Sequence, residues 1–181
     1  MKLALKWFLP ITLIAMGLAW VSEQVALLLG FDPPPQDLVK LFTDPNIAWT
    51  IKAKYAAFAV IAAPIVEEFV FRMGLFNLCR WTGRKLRGTK QIPQSPNLPI
   101  SQSSNPQILQ SSTFPLVSAL VSGAVFAAVH VHAATFAPLW FLGVAFAWLY
   151  WKSGTIRSSM LCHFLFNLIN LSLCLSVGLN D

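Results

Sequence analysis

The sequence predicts an all-α fold, a polytopic bundle of about five transmembrane helices around a polar intramembrane cavity. Residues of the set Ala, Val, Ile, Leu, Met, Phe, Trp, Tyr and Cys make up 56% of the 181 residues, and 11% are charged. The mean hydropathy of +0.62 departs from that of soluble domains, in which about 25% of residues are charged. Apolar stretches near the roughly 20 residues needed to cross a bilayer recur along the chain. One of them carries two adjacent acids, Glu67 and Glu68, followed by Arg72. An ionised group at the centre of a membrane helix costs about 2.5–3.5 kcal/mol, so three in one span must pair or face a wet cavity.

The length suits one domain over residues 1–181 with nothing left for a second, its motif-bearing core lying at 53–178. The first span, about 5–29, begins with Lys2 and Lys6, which would also suit a cleavable leader. Its apolar run continues through Leu28 and Leu29, longer than a 7–15 residue leader core, so an uncleaved helix is expected. Pro33, Pro34 and Pro35 then end it. Residues 36–44 suit a short interfacial helix with Leu38, Val39, Leu41 and Phe42 toward lipid. The second span, 53–79, holds the two acids.

From 80 to 112 the chain turns rich in Pro, Ser, Gln and Asn, which predicts a disordered cytoplasmic loop without chemistry of its own. Pro115 suits the first turn of a third span over 115–133, along which Ala119, Gly123 and Ala127 form a stripe permitting close helix approach. Spans four and five cover 135–151 and 158–178. Cys79, Cys162 and Cys174 are single, without metal-ligand spacing or a disulfide pattern, and read as packing residues.

The net charge of +6 does not line an aromatic-studded face, so nucleic acid is not an expected partner. With the N-terminus cytoplasmic, the inner segments hold Lys2, Lys6, Arg80, Arg84, Lys85, Arg87, Lys90, Lys152 and Arg157. The outer ones hold Lys40, Lys52 and Lys54, so the positive-inside rule places the N-terminus in the cytoplasm and the C-terminus outside. The expected location is a multi-pass position in the plasma membrane.

Three spans carry polar groups at helical spacing. Glu68 and Arg72 are four apart and share a face, whereas Glu67 points about 100° away and is left freer. A carboxylate with incomplete compensation in a low-dielectric cavity is suited to general-base work. Phe126 and His130 are four apart, as are His163 and Asn167, and a His above an Asn offers two donors to a developing oxyanion. Each group alone has a structural reading: a Glu–Arg tie, or His and Asn as interhelical hydrogen-bonders. His132 and Asn170 fit that description. Convergence of all of them on three spans favours a site.

The ordered set Glu67-Glu68-x-x-x-Arg72, Phe126-x-x-x-His130 and His163-x-x-x-Asn167 resembles the CAAX protease and bacteriocin-processing family of intramembrane endopeptidases. The resemblance implies hydrolysis of a peptide bond in a membrane-associated peptide, lipidated or leader-like. It implies Glu67 as general base, activating water with His130, and an oxyanion hole from His163 and Asn167. Glu68 and Arg72 would orient the acids, and Phe126 would pack beside the site. A glutamate-dependent reaction without cofactor is preferred. A zinc reaction would use Glu67, His130 and His163 as ligands, three residues on three helices without a His-Glu-x-x-His motif. The alternative function is a non-catalytic membrane protein, such as an immunity factor, binding peptide in the same pocket. An ion pathway ranks behind both, because no paired halves are evident.

Overall fold

The computed structural model describes residues 1–31, 37–86, 115–130 and 133–177, and among these there are helices and turns but no strand. The helices are α1 (Lys2–Leu28), α2 (Asp37–Thr43), α3 (Trp49–Ala57), α4 (Ala63–Glu68), α5 (Asn77–Leu86), α6 (Leu116–Ala128), α7 (Phe136–Ser153) and α8 (Ile156–Val177). Two π-helical segments, Phe58–Ala62 and Phe69–Phe76, join α3, α4 and α5 into one uninterrupted rod. Widened turns of this kind are rare and gather at functional sites; here they lie on either side of the two acids.

Two helices among the described residues are long and apolar enough to cross a membrane, Lys2–Leu28 and Ile156–Ser176, against about five expected. The second expected span is divided by the π turns. The third is cut short at Ala128, and α7 is diluted by Trp140, Trp148, Tyr150, Trp151 and Lys152. The expected loop at 80–112 is corrected at its start, because residues 80–86 continue α5. Arg84 and Lys85 occupy the last turn, where cations meet the helix dipole favourably, and Lys85 Nζ stands 5.3 Å from the Trp81 ring centroid. The rest of that loop that lies within 87–112 falls outside the described residues, as does His132.

The N-terminal helix is built into the bundle. Ala4, Ile11 and Ala15 of α1 share a buried cluster with Leu142, Phe146 and Leu149 of α7 and Cys162 of α8. Trp7 meets Trp148 edge-on at 5.1 Å between centroids. The Met1 amine lies 3.5 Å from the Ser158 hydroxyl, which puts the starts of α1 and α8 at one end of the bundle. Asn77 donates to the Tyr150 hydroxyl at 3.0 Å, so the base of α5 is at that end too. Lys2, Lys6, Arg80, Arg84, Lys85, Lys152 and Arg157 therefore gather on one side.

Helix α2 turns Phe42 inward onto Val60 and Leu171, correcting its expected place against lipid. Lys52 Nζ donates to the Phe42 carbonyl at 2.9 Å and so covers the end of α2, where helical carbonyls lack partners. The outer surface is apolar: Leu5, Leu9, Leu13 and Trp20 on α1, and Phe58, Ile61, Ile65, Phe69, Val70 and Met73 on the rod, are all exposed. Such continuous apolar faces suit lipid rather than water.

Two glycines set the packing of α6 to α8. Gly154 adopts φ +67° and ends α7, and its amide donates to the Tyr150 carbonyl. That left-handed turn lets α8 start at Ile156 and run back beside α7. The small-residue stripe of α6 is buried as expected, and Gly123 meets Gly143 of α7 so closely that a Cβ on Gly143 would lie 2.6 Å from the Gly123 Cα. Backbone cannot yield as a flexible side chain does. Gly143→Leu is expected to part α6 from α7 and lower the thermal unfolding midpoint in detergent by several degrees, since overpacking costs about 1–3 kcal/mol. Gly17→Leu, at a site with nothing within 4 Å, is the control and is expected to unfold with the wild type.

Candidate active site

Glu67 and Glu68 close α4, a helix that opens with Pro64 in its first turn and is followed at once by the second π segment. Glu68 and Arg72 are both fully buried, and Arg72 Nε lies 3.3 Å from Glu68 Oε2. The distance is that of an ion pair, but the angles are not those of a hydrogen bond, and Nη1 and Nη2 find no hydrogen-bond partner among the described residues. Aromatic faces surround the guanidinium instead. Its carbon is 5.2 Å from the Phe126 centroid and 5.7 Å from that of Phe146.

His163 of α8 stands between the two acids. Its Nδ1 is 3.1 Å from Glu68 Oε1, and its Nε2 is 3.6 Å from Glu67 Oε2. The first is a hydrogen bond; the second is a looser contact. Glu67 keeps 26% of its side chain exposed while Glu68 keeps none, so the carboxylate that helical geometry leaves freer is also the less buried of the two. The Arg72 cation offsets the Glu68 carboxylate, a pairing that burial of both in an apolar bundle demands.

Phe126 is the hub of the surrounding rings. Its centroid is 4.9 Å from that of His130, 5.9 Å from that of His163 and 5.2 Å from that of Phe71. His130 is not in the helical position expected of it. Helix α6 stops at Ala128, and His130 lies in the following turn with its amide on the Ala127 carbonyl. Its Nδ1 is 2.8 Å from the Phe126 carbonyl. A carbonyl only accepts, so Nδ1 carries a proton there, and a neutral ring has its lone pair on Nε2. Asn167 lies one turn beyond His163 on α8 and donates Nδ2 to the Ala59 carbonyl at 2.9 Å. Asn170 is exposed and donates back to the Phe166 carbonyl of its own helix, away from this cluster.

Two contributors escaped the sequence. Phe146 stacks on His163 at 4.8 Å and 29°, but α7 is aromatic throughout and nothing marks this ring among its neighbours. The buried Ser122 hydroxyl donates to the Phe71 carbonyl at 3.0 Å, bracing the π segment that carries Arg72. A polar residue one helical turn from Ser118, within a small-residue stripe, could have signalled it. For zinc, the trio Glu67, His130 and His163 does not close on a point: among the described residues no three His, Cys, Asp or Glu side chains are grouped to hold an ion.

Glu68, Arg72 and His163 buried between helices that expose long apolar faces are the pattern of a membrane protein with a polar centre. A family model described as type II CAAX prenyl endopeptidase, Rce1-like, matches residues 49–169, which include every one of these groups. The chain belongs to that family, whose members are integral membrane proteases. Comparison with curated proteins and with solved structures gives no match.

Proposed function

We propose that the protein is an intramembrane endopeptidase with about five membrane passages, the rod from α3 to α5 forming the second and α6 and α7 the third and fourth. Its substrate is a membrane-associated peptide, and a prenylated C-terminal tail is the first to try because the family is described by that activity. The gathering of basic residues at one end of the bundle supports a cytoplasmic N-terminus.

The observation that carries the reading is the asymmetry of the acids. Glu68 is spent on Arg72 and His163, whereas Glu67 is partly exposed and held only loosely, at 3.6 Å, by His163 Nε2. In the proposed reaction Glu67 takes a proton from a water, with His130 Nε2 as a second acceptor. The resulting hydroxide adds to the scissile carbonyl carbon. His163 offers N–H to the oxyanion, and Asn167 is the companion donor implied by the motif. The carbonyl then re-forms, the C–N bond breaks, and the proton held by Glu67 passes to the leaving amine. The rings of Phe126 and Phe146 and the enclosing helices keep bulk water out and strengthen these interactions.

The test is reconstitution in liposomes with a peptide library that includes a prenylated member, the products read by mass spectrometry. New termini from the wild type and none from Glu67→Gln are expected. Peptide bound but never cut by the wild type would establish the non-catalytic alternative. In a second arm, chelator-treated protein verified free of metal is expected to keep full turnover. Loss of turnover restored by zinc alone would assign the reaction to a metal.

A further inference from the structure

The π segment Phe58–Ala62 ends with the Ala63 amide on the Phe58 carbonyl, a five-residue step. The next amide in that register would reach the Ala59 carbonyl and belongs to residue 64. Residue 64 is proline, which has no N–H to give. Ala59 therefore has an acceptor that its own helix leaves empty, and the Asn167 amide nitrogen fills it from α8 at 2.9 Å. An unfilled carbonyl in hydrocarbon costs too much to stand alone, so such gaps in membrane helices are met from neighbours.

We propose that Asn167 is a positioning residue: by donating to the carbonyl that Pro64 orphans, it ties the rod carrying Glu67 to the helix carrying His163. Glu67 follows Pro64 by less than one turn, and His163 precedes Asn167 by about one turn. The pair is thus a cross-brace directly beside the loose Glu67–His163 contact. This role differs from donation to an oxyanion and rests on the peptidase reading only where turnover is measured.

A double-mutant cycle on Pro64 and Asn167 decides it, read first by thermal unfolding in detergent. Asn167→Ala is expected to lower the midpoint by about 2–4 °C, the effect of one lost hydrogen bond in a chain of this size. In a Pro64→Ala background the new N–H can serve the helix itself, and Asn167→Ala is expected to lower the midpoint by less than half as much. Equal losses in both backgrounds overturn the proposal. Should Pro64→Ala not fold, Asn167→Asp decides alone. It places a carboxylate against the carbonyl and is expected to unfold below Asn167→Ala, and an Asn167→Asp midpoint equal to wild type overturns the proposal.

Turnover gives the second readout. Asn167→Ala is expected to lose at least about 100-fold in kcat/KM, about tenfold of it through misplacement and the rest through the second N–H lost to the oxyanion. Adding Pro64→Ala is expected to recover about tenfold of it, which no oxyanion donor lost at position 167 could yield. Absence of recovery with an active wild type overturns the proposal. A wild type without turnover instead overturns the peptidase reading, and the unfolding cycle still decides the brace.

Discussion

Glu67→Gln is expected to lower kcat/KM by roughly 10²–10⁴-fold, the share a positioned general base supplies, while leaving the unfolding midpoint near that of the wild type. The two outcomes follow from the same geometry. Glutamine has nearly the shape of glutamate, and the side chain is 26% exposed, so no buried charge is stranded by the change. Its amide can still contact His163 Nε2, but it cannot take a proton from water. Peptide binding, measured by fluorescence with a labelled substrate, is expected to persist, which separates lost chemistry from lost recognition. A variant keeping more than about a tenth of wild-type turnover would remove Glu67 from the role of base and leave His130 Nε2 as the acceptor to examine.

The residues legible in the sequence are those that hydrocarbon penalises. Glu67, Glu68, Arg72 and His163 stand out because each needs a reason to be there, and the structure brings all four within ion-pair or hydrogen-bond reach. Their spacing also foretold which acid pairs with Arg72, since a four-residue step survives the start of a π segment. The Ala119, Gly123 and Ala127 stripe was legible for a similar reason, small residues being wasted on a lipid-facing surface.

What escaped notice depends on register and on partners. The π turns have no apolar period of their own, so the widening beside Pro64 could not be read from the pattern. The Ala59 carbonyl that Asn167 serves was hidden with it. Phe146 was hidden because an apolar helix gives no reason to prefer one ring over another. His130 fell beyond the end of α6, because its own imidazole donates to the Phe126 carbonyl at that end. Helix α5 outran the composition boundary at residue 80, since Arg and Lys are good helix formers even where they mark the end of a span.

Breaking the Glu68–Arg72 pair from one side is expected to have the opposite signature to Glu67→Gln. Arg72→Met leaves a fully buried carboxylate that keeps its hydrogen bond with His163 but loses its cation, and Glu68→Gln leaves a fully buried guanidinium. Removing one member of such a pair costs about 3–5 kcal/mol, a large part of the roughly 5–15 kcal/mol that holds a domain together. Either single variant is therefore expected to accumulate poorly in membranes and to unfold well below the wild type. The double variant Glu68→Gln with Arg72→Met strands no charge and fills about the same volume, so it is expected to recover most of the lost stability. The amide oxygen introduced by Glu68→Gln can still accept from His163 Nδ1. Turnover of the double variant is expected within about 100-fold of wild type, the scale of a small misplacement rather than of a missing base. Wild-type stability in both single variants would mean that Arg72 is held by the rings of Phe126 and Phe146 and not by Glu68. The two acids would then have to be assigned afresh, for the freedom of Glu67 rests on Glu68 being spent.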